Sequence, residues 1–153
     1  MWCSESAFAR NRVGASLLVA LALAFWPVAA HAEDMVLVSA RAGGLAALDR
    51  ETAVQLYLGR STALPDGRSA RLIDLPAGPE RDLFYLQLTG KNPSQIRAYW
   101  SRLVFTGRAH PPQEALDIDD AIRRVLADRN ALAYLPAAAA DHPGLRVLFG
   151  PGR

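Results

Sequence analysis

The sequence predicts an α/β domain in which a mixed sheet is flanked by helices. Short apolar runs of strand length alternate along the chain with segments of helical periodicity, and Gly or Pro stands at most of the boundaries between them. Such alternation is typical of domains that cover a largely parallel or mixed sheet with helices. No internal repeat and no shift of composition occurs after residue 32, so one domain is predicted for residues 33–153.

Residues 1–32 have the three parts of a secretory signal peptide. Two arginines precede an apolar run over residues 13–28, and Ala30-His31-Ala32 supplies a small-x-small exit. The alternative is a membrane anchor, but the uninterrupted stretch 17–26 is shorter than the roughly 20 residues that cross a bilayer. We therefore predict a Sec-type signal peptide cleaved after Ala32, and a periplasmic mature protein that does not span the membrane.

The first half of the domain contains two predicted strands and one helix. Residues 35–40 form an apolar run of strand length. Asp49 is suited to cap a helix, and Gly59 is suited to stop it. Pro65-Asp66-Gly67 is a turn sequence, since proline presets one backbone angle and glycine tolerates the last. The alternating residues 71–75 then predict a second strand.

The second half predicts three helices and two further strands. One helix covers residues 80–88 and ends at Gly90, and the next begins at Pro93, because proline suits a first helical position. Asp119 or Asp120 opens the last helix. Two strands with a short Ala-rich helical turn between them complete the domain, over residues 132–135 and 145–149.

Composition and motifs exclude several functional classes. A net charge of +2 without a basic arm argues against nucleic-acid binding, and a single Cys excludes a disulfide framework or a cysteine–histidine zinc site. His110 and His142 each stand beside a proline in a predicted loop, and no nucleophile or nucleotide-binding motif occurs. Asp117, Asp119 and Asp120 are interpreted as helix-capping residues. We therefore predict no catalytic residues, no metal site and no cofactor.

The candidate ligand sites lie where strands lead into helices, because helix N-termini present free N–H groups that attract anions. In the segment 75–84, Gly78 allows a ligand to approach the backbone and Arg81 offers a fork of donors. The alternative for Arg81 is an ordinary surface charge that pairs with Asp82 or Glu80.

Two further groups complete the predicted anion-binding set. The first strand delivers Ser39 and Arg41 to the same edge of the sheet as the segment 75–84, and ligands of open α/β sheets bind beyond the carboxyl ends of strands. Arg108, in the loop after the third helix, is the third contributor. Each of these arginines is alternatively a solvated surface charge.

At these residues the chain resembles the phosphate ABC-transporter substrate-binding family, especially its small single-lobe proteins. The similar stretches span nearly the whole domain in the family's order: AVQLYLGR with PDG (53–67), LPAGPERDLFY (75–85), AYWSRLVFTGR with PP (98–112), and VLADRNALAYLP (125–136).

The resemblance implies a single lobe of a type II periplasmic-binding-protein fold. Full-length members hold phosphate between two lobes, so the second lobe of a complete clamp would come from another chain or be absent. Two functions are consistent with the resemblance. The first is a solute-binding module for ABC-type uptake or sensing of phosphate or a similar oxyanion, with a permease or a sensor as its partner. The second is a protein-interaction or sensor module that has lost its ligand. The second is motivated by the missing lobe and by two residues of the expected binding loop. Pro79 stands where the family usually has Ser and removes its donors, and the carboxylate of Glu80 opposes a bound anion. Asn130 replaces another family glycine.

Overall fold

Five strands form one mixed sheet in the computed structural model, which describes residues 34–150. The predicted signal peptide therefore lies outside the described residues. The strands are β1 (Met35–Ala40), β2 (Arg71–Asp74), β3 (Gln113–Glu114), β4 (Ala131–Pro136) and β5 (Leu145–Phe149). The α-helices of the described part are α1 (Arg50–Tyr57), α2 (Pro79–Thr89), α3 (Pro93–Phe105) and α4 (Ile118–Ala127).

The order of the strands, β3-β2-β4-β1-β5, places β4 and β1 at the centre. Strand β2 runs parallel to both β3 and β4, whereas β1 runs antiparallel to β4 and to β5. Strands β1 and β2 therefore run in opposite directions, and their carboxyl ends lie at opposite ends of the sheet. This reversal decides which of the predicted site residues meet.

The two central strands form the core of the molecule. All six residues of β1 and all six of β4 are buried, and α2 and α4 both pack against these strands. Consecutive buried residues on a strand mean that both faces of the sheet are covered, as in α/β domains. The predicted mixed α/β architecture is confirmed at this level.

The local predictions hold for most elements and fail at two places. Strand β3 was not predicted, because two exposed residues carry no periodic signal. Residues 137–140 form a short hydrogen-bonded turn, as predicted, in which the Ala139 and Ala140 N–H groups both donate to the Pro136 carbonyl oxygen. Helix α4 begins earlier than predicted, since Asp117 caps it by accepting from the Asp120 N–H at 2.7 Å.

Replacing the capping residue Asp117 with alanine should lower the free energy of unfolding by about 1 kcal/mol. The change removes the acceptor of one free N–H in the first turn of α4. Asp119→Ala is the matched control, because Asp119 is an exposed carboxylate of the same turn with no capping bond. Urea denaturation should show the larger loss for Asp117→Ala; equal losses would mean that only charge near the helix N-terminus matters.

Candidate anion-binding site

An open cleft of about 560 Å³ lies at the carboxyl end of β2, between residues 75–80 and residues 116–119. The first segment leads from β2 into α2, and the second leads from β3 into α4. Two helix N-termini therefore open on the same cleft. Their free N–H groups and the positive ends of their dipoles favour a negatively charged occupant.

Gly78 is the residue before the first turn of α2, and Pro79 is its first helical residue. Gly78 has an extended backbone (φ 167°), which any residue adopts, so the turn itself does not demand glycine. A Cβ atom at this position would meet only Glu80 Oε2 at 3.6 Å and the Pro76 carbonyl oxygen at 3.9 Å. Neither backbone conformation nor packing within the described residues therefore requires glycine at this position.

Arg81, in the first turn of α2, is held between two carboxylates. Its Nη2 lies 2.9 Å from Asp74 Oδ2, and its Nη1 lies 3.0 Å from Glu114 Oε2. The predicted alternative partners, Asp82 and Glu80, are therefore not the ones that the structure shows. The two pairs differ in environment, because the side chain of Asp74 is 1% exposed and that of Glu114 is 58% exposed.

Asp74, the last residue of β2, is the buried centre of a hydrogen-bond network. The Tyr134 hydroxyl donates a short hydrogen bond to Asp74 Oδ1, and the Tyr85 hydroxyl donates to Oδ2 at 3.3 Å. The Tyr134 oxygen also accepts from the Leu75 N–H at 3.0 Å, which ties the start of the cleft loop to β4. The guanidinium of Arg81 is thus anchored on groups that are themselves fixed.

Burial raises the pKa of Asp74 from 3.8 to about 6, although the Tyr134 hydrogen bond and the charge of Arg81 act in the opposite direction. Burial also raises the pKa of the Tyr85 and Tyr134 hydroxyls, so both remain donors at neutral pH. Near pH 7 the carboxylate is charged and fully partnered. In mildly acidic solution it gains a proton.

An aromatic cluster contains both tyrosines of this network. Tyr134 stacks on Phe84 with ring centroids 3.8 Å apart, and Tyr57 and Tyr85 pack edge-on against the same pair. All four rings are at most 2% exposed. Because packed cores resist displacement, the cluster keeps the Asp74–Arg81 pair in one position.

The polar side chains of the cleft itself are carboxylates. Glu80, Asp117 and Asp119 line it, and Asp117 is engaged as the cap of α4. Their charges oppose an anion, while the two helix N-termini favour one. Arg81 does not itself line the cleft, but it directly follows the lining residue Glu80 in the first turn of α2. Asp120 faces away, binding the Leu116 N–H and Arg124, and these partners lower its pKa.

Ser39 and Arg41 do not lie at the end of the sheet where the cleft opens. The prediction that they lie at the same edge as the segment 75–84 is therefore wrong. Because β1 is antiparallel to β4 while β2 is parallel to it, the carboxyl end of β1 lies at the opposite edge from Gly78. Ser39 is fully buried, and Arg41 donates to the carbonyl groups of Pro143 and Leu145.

Arg108 is exposed in the loop after α3 and is not among the residues that line the cleft. Two residues of the predicted set, Gly78 and Arg81, are therefore brought together. Within residues 34–150, no group of three His, Cys, Asp or Glu side chains is arranged to hold a metal ion. In the same part of the chain, no helix has the length and apolar character that crossing a membrane requires.

Sequence reasoning missed the four residues that position Arg81. Asp74 lies in a predicted strand. The only sequence signal for a special role was that a polar residue stands between apolar ones. Tyr85 lies one turn after Arg81 on α2, whereas Glu114 and Tyr134 are distant in sequence and reach the network through the tertiary fold.

The described residues form a mixed α/β domain with an open cleft at two strand-to-helix junctions. Two solved structures share this fold. An ABC-type phosphate transport receptor from Vibrio cholerae matches with a TM-score of 0.52 and 12% identity, over 75% of this chain and 45% of the receptor. A protein described as a phosphate ABC transporter substrate-binding protein, solved with bound phosphate, from Clostridium perfringens matches with a TM-score of 0.58 and 13% identity, over 75% and 44%.

These likenesses show the fold, and the predicted resemblance to phosphate receptors is confirmed at that level. The chain spans less than half of the length of either receptor. No family model matches the chain, and no curated protein matches it. Both neighbours are described as transport or substrate-binding proteins.

Proposed function

We propose that this chain is an exported, single-lobe solute-binding module that recognises phosphate or a similar oxyanion at residues 75–81. The observation that carries the proposal is the Asp74–Arg81 pair, which holds a guanidinium fork beside a helix N-terminus. A guanidinium fixed by Asp74 at Nη2 offers its remaining N–H groups to an oxyanion at little cost in side-chain entropy. The fold shared with two phosphate receptors supports the same ligand class.

Export to the periplasm is part of this proposal and rests on the sequence of residues 1–32. A lobe of this size covers one side of a ligand, so a tight clamp requires a second surface. We propose that a permease, a sensor protein or a second lobe from another chain supplies it. The ligand would then be used in ABC-type uptake or in sensing.

Calorimetric titration of the purified protein with phosphate, sulfate and a dicarboxylate tests the proposal. We expect phosphate to bind more tightly than about 1 mM, which corresponds to about 4 kcal/mol. Arg81→Lys keeps the positive charge but loses the fork, so affinity should fall by about tenfold or more. Arg71→Lys is the matched control, because Arg71 also pairs with a carboxylate, that of Asp128 at 3.0 Å, but lies at the start of β2 and not in the first turn of α2.

Gly78→Ala provides a second test of the same surface. The added methyl group makes only ordinary contacts within the protein, so folding and thermal stability should be unchanged. A ligand that lies against the backbone of Gly78 would meet the methyl group, and phosphate affinity should fall. Unchanged affinity in both Arg81→Lys and Gly78→Ala would remove this site from the proposal.

The second candidate function is a protein-interaction or sensor module without a small ligand. It is favoured by the carboxylates of the cleft, which stand where an oxyanion would bind. This candidate predicts no binding stronger than about 1 mM for any of the three anions, with a circular dichroism spectrum of a folded α/β protein. That result would replace the first function with the second.

A further inference from the structure

We infer that Glu114 acts as an internal competitor for the anion at Arg81, so that its carboxylate sets the affinity of the site. This inference rests on the proposed function. Glu114 Oε2 lies 3.0 Å from Arg81 Nη1, the terminal nitrogen that the buried Asp74 does not use. A glutamate carboxylate presents two oxygens to a guanidinium as phosphate does.

The two carboxylates around Arg81 have different roles because their environments differ. The side chain of Asp74 is 1% exposed and is bound by two tyrosine hydroxyls, so it is a permanent anchor. The side chain of Glu114 is 58% exposed, and Arg81 is the only partner that its carboxylate has within the described residues. Exposed ion pairs contribute little to stability and exchange readily with solvent. An incoming anion can therefore displace Glu114 but not Asp74.

The backbone of Glu114 is well fixed, which lets the side chain leave Arg81 without unfolding the strand. Strand β3 pairs with β2 in register, with Glu114 opposite Asp74. The Ala115 N–H donates to the Asp74 carbonyl oxygen at 2.8 Å, and Arg124 Nη1 donates to the Glu114 carbonyl oxygen at 3.3 Å. Only the side-chain torsions of Glu114 need to change when an anion takes its position.

Competition by Glu114 has two components that a titration can separate. One is the direct contact with Arg81 Nη1, and the other is the general repulsion between a negative charge and an anion. Glu80 carries the same charge as Glu114, lies at the start of α2 beside Arg81, and lines the cleft. Within residues 34–150, its side chain forms no hydrogen bond or ion pair with Arg81. Glu80→Gln therefore removes repulsion alone and is the matched control for Glu114→Gln.

Inorganic phosphate is titrated calorimetrically into the wild type, Glu114→Gln and Glu80→Gln at one pH and one ionic strength. We expect Glu114→Gln to bind phosphate about tenfold more tightly than the wild type, and Glu80→Gln to gain less than about threefold. In parallel, the Arg81 side-chain N–H signals are followed by NMR in the free proteins. Their exchange with water should be faster in Glu114→Gln, because the charge that holds Nη1 is gone.

The possible results distinguish this inference from the function on which it rests. If the wild type and Glu114→Gln bind phosphate equally, the site stands and the competitor role is overturned. Equal gains for Glu114→Gln and Glu80→Gln would overturn it as well, because general charge would then explain both. If neither the wild type nor Glu114→Gln binds, the oxyanion function fails and the competitor role fails with it. Unchanged N–H exchange in Glu114→Gln would show that the contact with Arg81 does not hold in solution.

Discussion

Replacing Tyr134 with alanine is expected to lower the free energy of unfolding by about 4 kcal/mol. The ring is fully buried and stacks on Phe84, so its removal leaves a cavity between β4 and α2. The change also removes the hydroxyl that joins the Leu75 N–H to Asp74. Both effects act on the elements that hold Arg81, so stability and anion binding should fall together. Urea denaturation, followed by tryptophan fluorescence, measures the loss of stability.

Tyr134→Phe separates the hydroxyl from the ring. We expect it to cost about 2 kcal/mol, because a buried N–H loses its acceptor and a buried carboxylate loses a donor. Tyr99→Phe is the control, since its half-buried hydroxyl makes one hydrogen bond, to the Leu58 carbonyl oxygen at 2.7 Å. That change should cost at most about 1 kcal/mol. A Tyr134→Phe protein as stable as the control would mean that the network around Asp74 contributes nothing beyond ring packing.

The free energy of unfolding should depend on pH because Asp74 titrates at different pH values in the folded and unfolded protein. Its pKa is about 6 in the folded protein, compared with about 3.9 in an unfolded chain. Between these values the folded chain holds a proton that the unfolded chain releases. The stability that Asp74 contributes is therefore present at low pH and is lost as the pH rises through 6.

Comparison with Asp74→Asn isolates this effect, because asparagine does not titrate. Between pH 7.5 and pH 4.5, the wild type should gain about 2 kcal/mol of unfolding free energy relative to the variant. This range lies above the region where Asp49, Asp66 and Asp120 lose their contributions, since their pKa values are lowered from 3.8. Denaturation at several pH values measures the difference between the two proteins. A constant difference, or one that grows with rising pH, would contradict the buried position of Asp74.

The elements that the sequence predicted well are those with strong local signals. Strand β1 was predicted at its observed bounds, because an uninterrupted apolar run of strand length has few alternative structures. Asp49 was predicted to cap α1, and its side chain accepts from the Thr52 N–H at 2.7 Å. A helix from Pro93 was predicted, and α3 starts there, with Asn92 and Gln95 forming a capping box.

The site was predicted only in part, because its geometry depends on contacts between distant residues. The sequence indicated the segment 75–84 and Arg81, since a Gly- and Pro-containing loop before a helix is a local pattern. It placed Ser39 and Arg41 wrongly, because the direction of β1 relative to β2 has no local signal. The partners of Arg81 were also hidden, since Glu114 reaches it across 33 residues through a two-residue strand.

What the sequence by itself determined is the α/β class, the position of most strands and helices, and the loop that leads into α2. Each of these follows from hydrophobic periodicity, capping residues or turn residues that act over a few positions. The tertiary structure alone decided that Arg81 stands between a buried and an exposed carboxylate. The physical reason is that a residue becomes buried only when the sheet and its helices assemble. The difference between the buried anchor Asp74 and the exposed, displaceable Glu114 therefore has no local signal in the sequence.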